Sequence, residues 1–187
     1  MSQLWPVALV QFQVSPEPQV NRQQVRHWLE QAMTQAGTSS SPTLWMLPEV
    51  WNSPYHAERS AEFAEPIPEL GADLRDGPSD SLKVVADFAV SHRVSVIAGS
   101  IPECSSDGRI FNTATVISPA GCLLAKHRKM HLFDVDIPGG IHFHESDSLT
   151  AGDQITVLSG GGAPLASGAA PPPHPGLQTP PTTPPPH

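Results

Sequence analysis

Cysteine is nearly absent: the 187 residues hold two thiols, Cys104 and Cys122. Two cannot make a disulfide framework, so the expected home is a reducing, cytoplasmic compartment. Positive charge is also scarce, with 10 Lys plus Arg against 18 Asp plus Glu and a net charge of −8. That balance argues against nucleic acid or an anionic membrane as a partner, since either calls for a basic patch. No apolar run approaches the roughly 20 residues that a bilayer span needs. No basic segment precedes the apolar stretch within residues 1–10, so no secretory signal is expected. The length suits one domain with a sizeable core.

Proline is the one excess, at 22 residues, about twice ordinary usage. The excess is local. All 28 charged residues lie at or before Asp153, and the 34 residues after it carry no charge. Ten prolines fall in residues 163–187, including Pro171-Pro172-Pro173 and Pro184-Pro185-Pro186. Few large apolar side chains are present there to offset ordering entropy, which predicts a disordered or polyproline II tail. Pro-rich sequence serves SH3-type and WW-type domains as ligand, but no basic residue flanks these prolines. An unselected tail, as read-through or a shifted reading frame would leave, is the favoured reading.

Residues 4–158 read as folded, and residues 159–187 as a Gly/Pro-rich tail. Val7-Ala8-Leu9-Val10 suits a buried strand. Val25, Trp28, Leu29, Ala32, Met33 and Ala36 recur at helical spacing, with Asn21 as the expected start and Gly37 as the stop. Residues 43–47 form a second buried strand ended by Pro48. Leu82, Val85, Ala86, Ala89 and Val90 mark a second helix capped by Ser79 or Asp80. Residues 94–98 give a third strand, and Ser118-Pro119-Ala120-Gly121 turns a hairpin between residues 113–117 and 122–125. Residues 155–158 start another strand. Helices packed on a sheet make an α/β domain.

Glu49 follows a buried strand, where open α/β folds place catalytic groups; partial burial there suits a general base. Its bland alternative is a solvated loop glutamate. Residues 126–131, Lys-His-Arg-Lys-Met-His, are the only basic cluster. In so acidic a chain they suit an anionic group or a developing oxyanion, or else a solvated strand end. His142 and His144 share one face of an extended segment, a chelating arrangement. No Cys or carboxylate at ligand spacing completes a site, and His127 and His131 lack the zincin glutamate, so no metal is expected. Glu145 is on spacing alone an ordinary loop carboxylate.

Taken together the motifs say more. Leu47-Pro48-Glu49, Asn52-Ser53-Pro54-Tyr55, residues 97–103 (Ile-Ala-Gly-Ser-Ile-Pro-Glu), Phe111-Asn112-Thr113 and residues 126–134 (Lys-His-Arg-Lys-Met-His-Leu-Phe-Asp) resemble the nitrilase superfamily of carbon–nitrogen hydrolases. With Asp136, Pro138, Gly139, Phe143, Glu145 and Ser146 after it, the last run is most similar to the omega-amidases. The resemblance implies a four-layer αββα sandwich, present here in part, and a Glu-Lys-Cys triad that needs no cofactor. It assigns Glu49 as the base that takes the thiol proton, and Lys129 as the cation that stabilises the tetrahedral oxyanion. Glu145 becomes a second glutamate that orients the site. The implied substrates are terminal amides of 2-oxo dicarboxylic acids, hydrolysed to the oxo acid and ammonia. Family members are typically dimeric or larger.

One departure stands out. The family's nucleophile sits in a Gly-x-Cys-Tyr-Asp motif at a strand-to-helix turn; at that distance beyond Glu145 this chain has Ala169-Ala170-Pro171. Neither Cys104 nor Cys122 takes the nucleophile's place. The expectation is a truncated, inactive omega-amidase-like chain whose sheet has unpaired edges and an uncovered apolar face. Two alternatives remain: an active hydrolase that uses another thiol or a partner chain's nucleophile, and a non-enzymatic module that pairs with full-length subunits.

Overall fold

Parallel and antiparallel pairing meet in one sheet of the computed structural model, which describes residues 6–36 and 44–158. Its five strands run in spatial order β1 (Val7–Leu9), β2 (Leu44–Met46), β3 (Ser95–Cys104), β4 (Ile110–Ile117) and β5 (Leu123–Arg128). The first three pair in parallel, and β3, β4 and β5 pair antiparallel. Parallel neighbours need a crossover. Helix α1 (Pro18–Ala36) lies between β1 and β2; the single-turn α2 (Ser60–Phe63) and α3 (Asp80–His92) lie between β2 and β3. A two-stranded ladder, β6 (Asp134–Asp136) with β7 (His142–His144), follows. Among the described residues, no helix is long and apolar enough to cross a membrane.

The core fills the space between the helices and one face of the sheet. Val25 and Leu29 of α1, and Leu82, Val85, Ala86 and Ala89 of α3, are fully buried against Trp45, Val96 and Ile101. Their i, i+3, i+4 spacing makes one stripe per helix, and each buried Val or Leu contributes roughly 1.5–3 kcal/mol relative to exposure. Trp45 meets Phe88 edge to face, ring centres 5.2 Å apart. Ser79 caps α3 as expected, its hydroxyl accepting from the Leu82 amide at 3.1 Å.

Three expectations need correction. Strand β1 is present but not buried: it is the sheet edge, with Leu9 71% exposed. An edge strand has one neighbour, so an apolar run alone does not place a strand inside. Helix α1 starts at Pro18, not at Asn21; proline's fixed φ and missing amide suit a first turn. Asn21 is buried within it, and its side chain accepts from the Ser15 amide at 2.7 Å and donates to the Ser15 carbonyl at 2.9 Å. Residues 155–158 join no ladder; Thr156 Oγ1 donates to the Lys126 carbonyl at 3.3 Å, and Ile155 and Val157 are exposed. They lie by a groove on the helix-free face of the sheet that Ile97, Val116, Ala125 and Leu158 line. Helix and sheet therefore make one α layer and one β layer. Gly37 and the tail 159–187 lie outside the described residues.

Candidate active site

Strand β2 gives way at Leu47-Pro48 to a turn that packs closely against β3. Val50 has φ +46°, a left-handed conformation that costs a β-branched residue roughly 1–3 kcal/mol. The turn is held by Ser100. Its hydroxyl accepts from the Val50 amide at 3.0 Å, its carbonyl accepts from the Trp51 amide at 3.3 Å, and its amide donates to the Pro48 carbonyl at 3.2 Å. Buried Trp51 adds a bond from Nε1 to the Ala98 carbonyl at 2.7 Å. Gly99 makes this approach possible, since a Cβ there would stand 1.9 Å from the Pro48 carbonyl oxygen. The outcome is that Glu49 projects from a fixed turn at the strand end, with its side chain 49% exposed.

Lys129 reaches that carboxylate from the end of β5. Its ammonium donates to Glu49 Oε1 at 3.0 Å and to Glu145 Oε1 at 3.1 Å. Its backbone is fixed by bonds to the Asn112 carbonyl at 2.8 Å and from the Gly152 amide at 2.9 Å. Asn112 Nδ2 also donates to Glu49 Oε1 at 2.7 Å. Glu145 opens a 3₁₀ turn after β7 and is buried to 2% exposure. It accepts from the Tyr55 hydroxyl at 2.5 Å and the Phe133 amide at 2.7 Å. Phe143 stacks beside Tyr55, ring centres 6.1 Å apart.

Electrostatics follow from this crowding. Burial works against the Glu145 carboxylate, but hydrogen bonds from Tyr55, Phe133 and Lys129 outweigh it and hold the carboxyl below its ordinary range. Burial likewise opposes the Lys129 charge, and the bonds to Glu145 and Glu49 overcome it, raising the ammonium above its ordinary value. Tyr55 is pushed up to about 12, first by burial and then by the bond to Glu145 and the charge of Glu49. Lys129 is thus a permanent cation shared by two carboxylates of unlike exposure.

The three residues singled out from sequence, Glu49, Lys129 and Glu145, therefore meet at hydrogen-bond distance. Partial burial of Glu49 was expected, and about half of its side chain is covered. The basic cluster does not act as one anion site. Arg128 forks onto buried Glu103 at 2.8 and 2.7 Å, and Lys126 lies 3.5 Å from it, so both spend their charge inside the protein. Cys104 ends β3 and Cys122 lies in the hairpin turn at the opposite end of β5 from Lys129. Seven residue steps of extended chain lead from Cys122 to Lys129, about 23 Å at 3.3 Å per step.

Some groups were missed. Tyr55 and Asn112 stand in motifs noted above, but nothing local marks them as partners of Glu145 and Glu49. Glu103, the one charge in its strand, was the readable signal for the Arg128 pair. Glu65 accepts from Ser79 and Ser81 at the start of α3. Asp136, across the β6–β7 ladder, also brings a carboxylate to His142 and His144, a proximity that spacing in the sequence does not reveal. A half-exposed carboxylate beside a fixed cation can accept a proton while the cation stabilises a forming oxyanion.

Comparison with known proteins shows the family and the fold. The model of the family described as Carbon-nitrogen hydrolase matches residues 6–170. The omega-amidase NIT3 of Saccharomyces cerevisiae is 36% identical over 160 residues, 84% of this chain and 52% of its own length. The omega-amidase NIT2 of Homo sapiens is 38% identical over 152 residues, 81% of this chain and 49% of its own. The crystal structure of S. cerevisiae Nit3, a member of branch 10 of the nitrilase superfamily, superposes with a TM-score of 0.66 at 32% identity, covering 80% of this chain and 49% of that one. The mixed α/β architecture is thus that of the nitrilase fold, and the chain spans about half the length of the curated relatives it matches.

Proposed function

Since the chain belongs to the carbon–nitrogen hydrolase family, we propose that it carries the base-and-lysine part of an omega-amidase site without the nucleophile that would complete it. Residues 4–158 are the part of the hydrolase domain that bears the site, and the family match runs on to residue 170. The observation that carries this reading is the Lys129 ammonium, 3.0 Å from both Glu49 and Glu145.

In a complete site, Glu49 takes the proton of an attacking thiol as the sulfur bonds to the amide carbon. Lys129 stabilises the oxygen of the tetrahedral adduct, and Glu145 acts as a positioning residue through Lys129. Ammonia leaves with a proton as the carbon–nitrogen bond breaks, and water then hydrolyses the thioester to the acid. The substrates are terminal amides of small 2-oxo dicarboxylic acids, and the setting, on cysteine usage, is the cytoplasm.

No thiol of this chain belongs to the cluster. Cys104 Sγ points to its neighbour's carbonyl at 3.8 Å and Cys122 Sγ to the Ala120 carbonyl at 4.0 Å. Losing one member of a catalytic unit removes most of the unit's effect. The purified chain should therefore release no ammonia from an omega-amide of a 2-oxo acid. Release that Glu49→Ala abolishes would overturn the reading. A second reading, pairing with a full-length copy, is favoured by the groove at Ile97, Val116 and Leu158, which the described residues leave open. Co-expression with a full-length homologue and size exclusion tests it, and separate elution removes it.

A further inference from the structure

The β6–β7 ladder carries chemistry that the amidase reading leaves unused. Asp136 is the cross-strand partner of His142, and Asp134 that of His144. Because side chains alternate along a strand, Asp134, Asp136, His142 and His144 share one face while Val135 and Phe143 share the other. Phe143 points to Tyr55 and Phe133. The acid–imidazole face is therefore turned away from the Glu49–Lys129–Glu145 cluster.

On that face the donor atoms converge. Asp136 Oδ1 contacts His142 Nδ1, and Asp136 Oδ2 lies 3.0 Å from His144 Nε2. The two imidazole centres are 4.6 Å apart. One ligand atom from each of Asp136, His142 and His144 lies within 4.8 Å of the others. A tetrahedral ion with bonds of about 2.0–2.1 Å requires donors roughly 3.3 Å apart, and the three donors here lie within 4.8 Å of one another. Asp134 is engaged elsewhere, its Oδ1 accepting from the Ser146 amide at 3.1 Å.

We propose that Asp136, His142 and His144 bind one divalent transition-metal ion of the zinc class, with solvent in the remaining position. Two imidazoles and one carboxylate select borderline metals over magnesium or calcium, which prefer oxygen donors. The site joins the two strands of the ladder across its open side. His144 adjoins Glu145, and the Phe133 amide that holds Glu145 immediately precedes β6. A bound ion thus ties together the segment that presents Glu145 without touching the Glu49–Lys129–Glu145 cluster.

Calorimetric titration of the full chain with Zn2+ alone tests this. One equivalent binds, and Asp136→Asn, His142→Ala and His144→Ala each weaken binding by at least about tenfold. Mg2+ under the same conditions gives no saturable heat, and the double variant His174→Ala with His187→Ala keeps full affinity. Absence of saturable Zn2+ binding, unchanged affinity in His142→Ala, or loss of binding in the tail variant would each overturn the site. A readout on the unaltered chain needs no variant to fold: Zn2+ should shield His142 and His144, but not exposed His131, from diethylpyrocarbonate as mapped by mass spectrometry. Equal modification of all three with and without Zn2+ also refutes it.

Discussion

Arg128 and Lys129 are neighbours in sequence, yet each serves a different carboxylate cluster, and the two clusters are built to opposite ends. Glu103 sits within β3 at 2% exposure, forked by Arg128, bonded by Thr113 Oγ1 at 2.6 Å and approached by Lys126. Arg128 also lies over the Phe111 ring, 3.8 Å from its centre. Every lone pair that matters is engaged, which makes this a structural knot. Glu49 instead stands on a strained turn with half its side chain in solvent, and shares a cation with a second carboxylate. Glu103 is saturated and closed off, whereas Glu49 is pinned but accessible, as the proposed role of a base requires.

The largest effect expected comes from the backbone that pins Glu49. Gly99→Ala adds a methyl 1.9 Å from the Pro48 oxygen at a residue with φ +59°. Neither strand can yield without losing the Ser100 bonds, so the cost should reach about 4 kcal/mol or more, among the severe single substitutions. Urea unfolding measures it; a midpoint within error of the parent's would mean that the turn is not held by this approach.

Next comes the knot. Glu103→Ala leaves the Arg128 guanidinium without its partner, for a loss of about 3 kcal/mol, the low end for a broken buried pair because Arg128 keeps some solvent contact. Burial opposes the Glu103 charge, but Arg128, Thr113 and Lys126 hold its carboxyl below the ordinary range. A depressed carboxylate stabilises the fold above its unfolded pKa, about 4.3, and that contribution fades as pH falls through the folded value. The unfolding midpoint of the parent should therefore drop between pH 5 and 3 by more than that of Glu103→Ala. Parallel acid limbs would deny Glu103 this role. By contrast, Glu49→Gln should change stability by less than about 1 kcal/mol, as a half-exposed pair contributes little. If its cost matched that of Glu103→Ala, the contrast between the two clusters would collapse.

The parts legible in the sequence were those with a local cause. The stripe from Leu82 to Ala89 announced α3, Ser79 its cap, and Ser118-Pro119-Ala120-Gly121 its hairpin turn. Strands β6 and β7, three residues each, are too short for alternation to register. Without their pairing, Asp136 could not be joined to the His142 and His144 pair that spacing had already put on one face. The Glu49–Lys129–Glu145 meeting was reached through motif likeness, because contacts 80 and 16 residues apart leave no trace in spacing. The bond from Tyr55 to Glu145 spans 90 residues. Exposure of β1 escaped notice because a strand's place in the sheet order is a property of the whole fold.

The smallest perturbation, one proton, tests the accessible cluster most directly. Tyr55 is the only tyrosine in the chain, so the tyrosinate absorbance at 295 nm reports on it alone. Burial, the hydrogen bond donated to Glu145 and the negative charge of Glu49 all favour the neutral phenol, which places its titration near about 12, against about 10 in the unfolded chain. The sign is that of an acid whose folded pKa is raised: its contribution to stability is complete below pH 10 and disappears as pH climbs toward 12. Tyr55 is 46% exposed, so the effect on folding is small while the spectroscopic shift stays readable. Glu145→Gln removes the accepting charge and should bring the titration back toward 10, whereas Glu103→Gln, in the other cluster, should leave it in place. A parent midpoint near 10 would mean that Glu145 does not hold the phenol, and with it would go the case for Glu145 as the fixed end of the Lys129 bridge.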